Sequence, residues 1–242
     1  MSITLRHIEQ FRSVLQNYIP NEKTLQLLHS RPLVILLGVS GAGRNTVINH
    51  LVGEGKYQFI VSDTTRPPKV RDGRLEQHGV HYNFKSEESF LADLRAGKYL
   101  EAEVIHNQQV SGISVRELQR ALESGMIPIN EVDIGGVRAI KALKPDVTLF
   151  FMIPPSYKEW LYRLRGREVM SSEEEANRLK TAAHILEQAL ASDDFTFIVN
   201  TSSHKTAERI DRYVHGTPIG GVDLDARAIA TAILAELTSG TH

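Results

Sequence analysis

A glycine-rich segment, Gly38–Thr46 (GVSGAGRNT), has the residue types and spacing to bind the phosphates of a nucleotide. Glycines allow the backbone to turn tightly and to bring its N–H groups close to an anion. The common phosphate-binding pattern is G-x-x-x-x-G-K-[ST], so Arg44 takes the lysine position and Asn45 the hydroxyl position. Arginine keeps the positive charge on a larger group, Asn45 offers Mg²⁺ at most a neutral oxygen, and Thr46 is a hydroxyl one residue late. The residues predicted to bind nucleotide phosphates here are Gly38, Ser40, Gly41, Ala42, Gly43, Arg44, Asn45 and Thr46.

Such a segment needs a strand before it and a helix after it, and its flanking residues favour both. Residues 33–37 form an apolar run that is too short for a helix and typical of a central strand in a parallel sheet. Similar runs alternate with helix-like stretches, with runs at 59–61, 127–129, 147–153 and 195–199 and helices at 114–123, 136–143, 156–165, 173–190 and 206–214. This alternation predicts an α/β fold with a parallel sheet core and helices on both faces.

The rest of the chain suggests where the domain boundaries lie. Residues 1–31 predict a helical extension, because Leu5, Ile8, Phe11 and Leu15 recur at helical spacing before a break at Pro20. Residues 63–113 interrupt the alternation and predict a small α+β insertion within a domain at 32–214. A helical tail is predicted at 215–242.

Composition narrows the class of protein. The formal net charge is -1, so no global basic field attracts nucleic acid or acidic lipid. The chain has no cysteine, which excludes disulfides, thiolate zinc sites and a cysteine nucleophile. Its apolar runs are too short to span a bilayer, and its N-terminus lacks the pattern of a signal peptide. We therefore expect a cytoplasmic protein that binds neither nucleic acid nor membrane.

Several short motifs follow the phosphate-binding segment in a fixed order. They read SDTTRPP at 62–68, EQHGVHYNF at 76–84, YLEA at 99–102, NEVDIGGV at 130–137, and PPS at 154–156 followed by RLRGR at 163–167. In order, and nearly in spacing, this set resembles the guanylate kinase family over about residues 33–212. The resemblance implies an enzyme that transfers a phosphoryl group from ATP to GMP with Mg²⁺, and it implies a helical lid at about 156–180.

The resemblance also implies which residues bind the acceptor nucleotide GMP. Arg66 and Tyr82 would hold its phosphate, Ser62 would touch the base, and Glu101 would accept hydrogen bonds from guanine N1 and N2. A second phosphate-binding cation is assigned to Arg71, although Lys69 and Arg74 compete for that role.

The donor nucleotide and the chemistry are assigned by the same resemblance. Asn200 would lie near the adenine of ATP. Glu131 and Asp133 would face GMP at the end of a strand and organise Mg²⁺ or its waters, and Asn45 with Asp133 would hold the metal. The groups expected to act on the transferred phosphoryl group are Arg44, Asp133, Arg163, Arg167 and Arg178.

Three departures from the family pattern leave alternatives open. The chain between Arg66 and Tyr82 is longer by about four residues. Ser111 replaces a phosphate-binding tyrosine, and Ile113 replaces a hydroxyl that contacts the base. Glu131 replaces an aspartate. The alternatives are a kinase of the same fold with a different phosphorylated acceptor, or a catalytically weak binding module.

Overall fold

The computed structural model describes residues 5–71, 73–166, 170–218 and 222–239. Ten helices and eleven strands lie within these residues. The helices are α1 Ile8–Leu15, α2 Glu22–His29, α3 Arg44–Gly53, α4 Glu87–Arg95, α5 Val115–Glu123, α6 Ile134–Leu143, α7 Tyr157–Arg165, α8 Ser172–Leu190, α9 Ser203–Val214 and α10 Val222–Thr238. The strands are β1 Val34–Gly38, β2 Tyr57–Phe59, β3 Asp63–Thr64, β4 Val70–Arg71, β5 Arg74–Leu75, β6 Asn83–Phe84, β7 Tyr99–Ile105, β8 Gln109–Ser114, β9 Ile127–Glu131, β10 Thr148–Ile153 and β11 Thr196–Val199.

Chain contacts divide the protein into two compact units. The described residues of Met1–Leu33, Gln58–Asn130 and Gly135–Val147 form the first unit, and those of Val34–Tyr57, Glu131–Ile134 and Thr148–His242 form the second. The predicted boundaries at residues 31 and 214 stay a prediction. Among the described residues, the helices are too short or too polar to cross a bilayer.

The second unit is built on parallel strands. β10 pairs with β1 on one side and with β11 on the other, in register from Val34 opposite Thr148 and from Phe150 opposite Thr196. All five residues of β1 are buried, which explains its uninterrupted apolar sequence. α3 packs on α9, and α10 packs on α8 and β11. The predicted α/β class with a parallel sheet is confirmed.

The first unit contains a four-stranded sheet in the order β6-β3-β8-β7, in which β7 and β8 form a long antiparallel hairpin. α1 packs on β7 and α4, and α2 packs on α5 and β7. The predicted strand at 59–61 is displaced toward the N-terminus, because β2 ends at Phe59. The predicted α+β insertion at 63–113 stays a prediction.

Candidate active site

The glycine-rich segment connects β1 to α3, and its backbone needs its glycines. Gly38, Gly41 and Gly43 have φ angles of +147°, +87° and +90°. A Cβ atom at Gly38 would lie 2.2 Å from the carbonyl oxygen of Met152 on β10, so no other residue fits there. α3 begins directly after the last glycine, at Arg44. The first N–H groups of a helix have no partner within it and lie at the positive end of its dipole, so this turn suits an anion.

Two buried side chains support this segment from elsewhere in the second unit. Asn200, which follows β11, donates from its amide nitrogen to the carbonyl oxygen of Ala42 at 2.8 Å. Its amide oxygen accepts from Thr206 Oγ1 at 3.1 Å. The indole N–H of Trp160 on α7 donates to the carbonyl oxygen of Ser40 at 2.6 Å. Both ends of the Asn200 amide therefore bond within the protein. Its contact with adenine stays a prediction.

The two residues that depart from the common phosphate-binding pattern face one carboxylate. Glu131 ends β9, and its Oε2 lies 3.5 Å from Nε of Arg44. The Asn45 amide, oriented so that both its nitrogen and its oxygen meet suitable partners, donates to Oε2 at 3.1 Å and to Oε1 at 3.3 Å. The side chains of Arg44 and Glu131 are 25% and 32% exposed, so ligands can reach both. Glu131 therefore contacts the phosphate-binding segment, and its contact with GMP stays a prediction.

The donor groups around this segment are compatible with Mg²⁺. Asn45, Thr46, Glu131 and Asp133 all offer oxygen atoms, which Mg²⁺ prefers. The described part of the chain has no cluster of three or more carboxylates or histidines that could hold a metal by itself. The residues therefore fit an ion bound largely through phosphate oxygens and water, which is how proteins commonly hold Mg²⁺ beside nucleotides. Asn45 and Asp133 stay predictions as ligands.

Two of the three predicted lid arginines lie on described helices, and both pair with glutamates one turn earlier. Nε of Arg163 on α7 lies 2.9 Å from Glu159, and its guanidinium also donates to the carbonyl oxygen of Asn200 at 3.0 Å. Arg178 on α8 lies 2.6 Å from Glu174. Arg167 lies outside the described residues. The catalytic roles of the three arginines stay predictions.

In the first unit, the side chain of Arg66 is held by the carboxylate of Glu76 and the ring of Tyr82. Its guanidinium donates to both carboxylate oxygens of Glu76, at 2.5 and 3.0 Å, and lies 4.7 Å from the centre of the Tyr82 ring. Arg66 is 9% exposed and Glu76 is 4% exposed. Ser62 is half-buried just before β3, and its carbonyl oxygen accepts from the N–H of Asn83 at 2.9 Å. The structure thus brings two predicted phosphate-binding residues, Arg66 and Tyr82, into contact. Glu76 and the Tyr82 ring hold the guanidinium in place before any ligand binds.

The competing cations lie on a short hairpin between these two residues. Arg71 of β4 pairs with Arg74 of β5, and the N–H of Lys69 donates to Glu76 at 3.0 Å. Lys69 and Arg74 are exposed, and the side chain of Arg71 lies outside the described part of the chain. The assignment of the second phosphate-binding cation to Arg71 therefore stays a prediction.

The predicted base-reading carboxylate is oriented by the β7–β8 hairpin. Glu101 lies opposite Ile113, and its Oε1 accepts from the backbone N–H of Ile113 at 3.2 Å. The side chain of Ile113 is fully buried, and Ser111 Oγ donates to Thr64 Oγ1 at 2.8 Å. A Cβ atom at Gly112 would lie 2.5 Å from the carbonyl oxygen of Glu101, so the two strands depend on glycine there. At position 113 the backbone, rather than a side-chain hydroxyl, contacts the carboxylate.

Comparison with known proteins identifies the family of this chain. A family model described as guanylate kinase matches residues 30–216, which is most of the chain. The chain belongs to the guanylate kinase family. The predicted enzyme class, a guanylate-kinase-type phosphotransferase, is likewise confirmed.

Individual relatives give the same result. A guanylate kinase of Rhodococcus jostii is 36% identical over 77% of this chain and 88% of its own length. One of Bifidobacterium longum is 34% identical over 74% and 91%. Guanylate kinase 1 of Arabidopsis thaliana is 29% identical over 79% of this chain, which spans about half of that longer protein. The crystal structure of guanylate kinase from Anaplasma phagocytophilum is similar with a TM-score of 0.57 at 25% identity, and it covers 80% of this chain and 89% of that one.

Two residues of this guanylate kinase family member contribute to the site without having been predicted to. Glu76 pairs with Arg66, and it stands at the start of the quoted motif at 76–84, but a spacing of ten residues across a loop does not reveal the pair. Trp160 supports the phosphate-binding segment. It is the single tryptophan of the chain and lies in a predicted helix, where an aromatic residue usually indicates core packing.

Proposed function

We propose that this protein transfers the γ-phosphoryl group of ATP to GMP and forms ADP and GDP. The observation that carries the proposal is the guanylate kinase match over residues 30–216. That span contains the phosphate-binding turn before α3, the fixed Arg66 and the oriented Glu101. The cytoplasmic location expected from the sequence stays a prediction.

On the donor side, the phosphates of ATP bind at the turn before α3. Backbone N–H groups donate to the phosphate oxygens, and Arg44 adds a positive charge that stabilises the transition state. Asn45, Asp133 and water would hold Mg²⁺, which would supply positive charge next to the phosphates of ATP. Asn200 and Trp160 keep the turn rigid, which matters because phosphoryl transfer depends chiefly on position and charge. Arg163, Arg167 and Arg178 supply further positive charge next to the transferred phosphoryl group.

On the acceptor side, Arg66 and Tyr82 bind the phosphate of GMP, and Arg71 supplies a second cation. Glu76 holds the Arg66 guanidinium in place, so that little conformational freedom is lost when the phosphate binds. Glu101 accepts from guanine N1 and N2, since an ionised carboxylate is an acceptor only and guanine presents two neighbouring donors there. The remaining contact to the base comes from Ser62.

One observation favours a second candidate, a kinase of the same fold that acts on a different phosphorylated acceptor. Ser111 donates its hydroxyl hydrogen to Thr64, and the Ile113 side chain is buried. The family's tyrosine and hydroxyl at these two positions are therefore not replaced by equivalent groups. An acceptor with fewer contacts at its phosphate and base edge is consistent with this change.

The test is steady-state phosphoryl transfer from ATP to GMP, dGMP, AMP, UMP and CMP, with and without Mg²⁺. Turnover confined to guanine nucleotides is the expected result. Turnover that favours another acceptor would replace the proposal with the second candidate. Tight nucleotide binding without turnover on any acceptor would contradict both.

The Glu101→Gln variant makes the same experiment specific to the base contact. Glutamine puts an amide N–H₂ where guanine presents donors, so we expect the KM for GMP to rise about tenfold or more while the KM for ATP stays within twofold. Glu103→Gln is the matched control, because Glu103 lies two residues along β7 and is exposed. An equal rise in the KM for GMP in both variants would show that the charge of the strand, rather than recognition of the base, causes it.

A further inference from the structure

Helices α1 and α2 precede residue 30, where the family match begins, yet they pack into the core of the first unit. Phe11 of α1 is fully buried, and its ring lies 6.0 Å from that of Phe90 on α4. Phe90 in turn stacks on Tyr99 of β7 at 4.4 Å, and Leu5 joins the same cluster. A segment that buries its aromatic side chains in this way is part of the unit's core.

A single tyrosine of this segment bonds to the backbone of β7. β7 is the last strand of the β6-β3-β8-β7 sheet, so its outer backbone groups need partners other than a strand of that sheet. The Tyr18 hydroxyl donates to the carbonyl oxygen of Tyr99 at 2.7 Å and accepts from the N–H of Tyr99 at 2.8 Å. Burial raises the pKa of Tyr18 to about 12, and the carboxylate of Glu101 adds to this shift. Tyr18 therefore keeps its proton, and its role as a donor, at ordinary pH.

These bonds lie where the strand changes register. β7 and β8 pair regularly from Glu101 opposite Ile113 to Ile105 opposite Gln109, but the register shifts between Tyr99 and Glu101. Such an irregularity bends a strand and re-aims the side chains beside it. Tyr18 holds one end of the irregular stretch, and the carboxylate predicted to read the base lies at its other end.

The same segment also contacts both ends of β7. Before the strand, the carbonyl oxygen of Gly97 accepts from the N–H of Asn21 at 3.0 Å. After the strand, Asn107 accepts from the N–H of Leu5 at 3.2 Å and from the Arg12 guanidinium at 3.1 Å. Asn107 has a φ of +59°, so these contacts stabilise a turn that a side chain disfavours. The segment from Leu5 to α2 is therefore fixed to β7 at its start, at its irregular stretch and at the turn that follows.

We propose that residues 5–29 are a positioning element for acceptor recognition, and that Tyr18 is the positioning residue that holds β7 in the register that aims Glu101 at the base. This inference rests on the proposed function. It assigns to the region outside the family match a role in acceptor binding, with no contact to the nucleotide itself. Among the described residues, the hydroxyl of Tyr18 bonds to the backbone of Tyr99, so we expect the donor site to be unaffected.

The test compares Tyr18→Phe with Tyr57→Phe. Both changes remove one hydrogen-bonded hydroxyl, and the Tyr57 hydroxyl donates to Asp211 at 3.0 Å within the second unit. We expect Tyr18→Phe to raise the KM for GMP about three- to tenfold and to lower the preference for GMP over the other monophosphates, because two backbone groups of β7 lose their partner. The KM for ATP should stay within twofold in both variants, and Tyr57→Phe should leave the preference unchanged.

Hydrogen exchange of the amides at 100–105 keeps this result separate from the proposed function. Faster exchange there in Tyr18→Phe than in Tyr57→Phe, together with the selective change in KM, supports the inference. Unchanged exchange, or equal effects on the KM values for GMP and ATP, overturns it. If the wild-type protein does not use GMP, the proposed function fails and the acceptor role with it, while the exchange still decides whether Tyr18 holds the strand.

Discussion

Glu131 links the two residues in which the phosphate-binding segment departs from its common pattern. A guanidinium and an amide both turn toward its carboxylate, whose side chain is about one-third exposed. A partly exposed pair of this kind contributes little to the free energy of folding, about 0–1 kcal/mol, so its importance lies in geometry. The longer side chain of glutamate, relative to aspartate, allows one acid to contact both Arg44 and Asn45. We infer that the three residues work as a set.

The variant Arg44→Lys tests whether the guanidinium itself is needed at this position. If arginine merely replaced the usual lysine, the variant would keep its activity. Because the guanidinium is held by Glu131 and a lysine ammonium lacks its fork geometry, we expect kcat to fall about tenfold or more. The comparison is the triple variant Arg44→Lys, Asn45→Ser, Glu131→Asp, which restores the family residues. Its loss should be smaller than that of Arg44→Lys alone, and a larger, additive loss would contradict the idea of a set.

The elements show which parts of the fold the sequence alone can predict. Helical spacing predicts helices and short apolar runs predict the parallel strands, and α3 and β1 were predicted with the segment between them. The contact of α1 with β7 was not, because helical spacing shows that Phe11 faces a core but not which core. The register shift beside Glu101 depends on Tyr18, which is 81 residues from Tyr99 along the chain. Local patterns contain no information on such a distant pair.

In the β7–β8 hairpin, we expect Gly112→Ala to separate the two strands. The new Cβ would lie 2.5 Å from the carbonyl oxygen of Glu101 and 2.8 Å from Cβ of Ala102. Relief of this overlap must move the strand backbone, so we expect a loss of about 1–3 kcal/mol in the free energy of unfolding and a higher KM for GMP. Urea denaturation measures the first effect. Gly53→Ala is the control, since that position has open space and should be neutral or stabilised; equal losses would contradict the steric argument.

Across the whole protein, both units depend on tyrosine hydroxyls that must stay protonated. In the first unit, burial raises the pKa of Tyr18 to about 12 and also raises that of Tyr99, whose hydroxyl donates to Asp63 at 2.8 Å. In the second unit, burial and the carboxylate of Asp211 raise the pKa of Tyr57. Each phenol would lose a hydrogen bond to an acceptor on ionisation, and near a carboxylate it would also gain a repulsion.

The last prediction is therefore a loss of stability at alkaline pH. An unfolded tyrosine releases its proton near pH 10, whereas Tyr18 in the folded protein keeps its proton up to about pH 12. Between these values the folded state binds more protons than the unfolded state, so the free energy of unfolding falls as pH rises, and the full contribution is present only below pH 10. Urea denaturation of the wild type at pH 8, 9, 10 and 11 should give a midpoint that declines beyond pH 10. Tyr18→Phe should decline less steeply, because phenylalanine has no proton to lose and every other titrating group is the same in both proteins. Parallel curves would mean that the Tyr18 hydroxyl is not held in its neutral form by the fold.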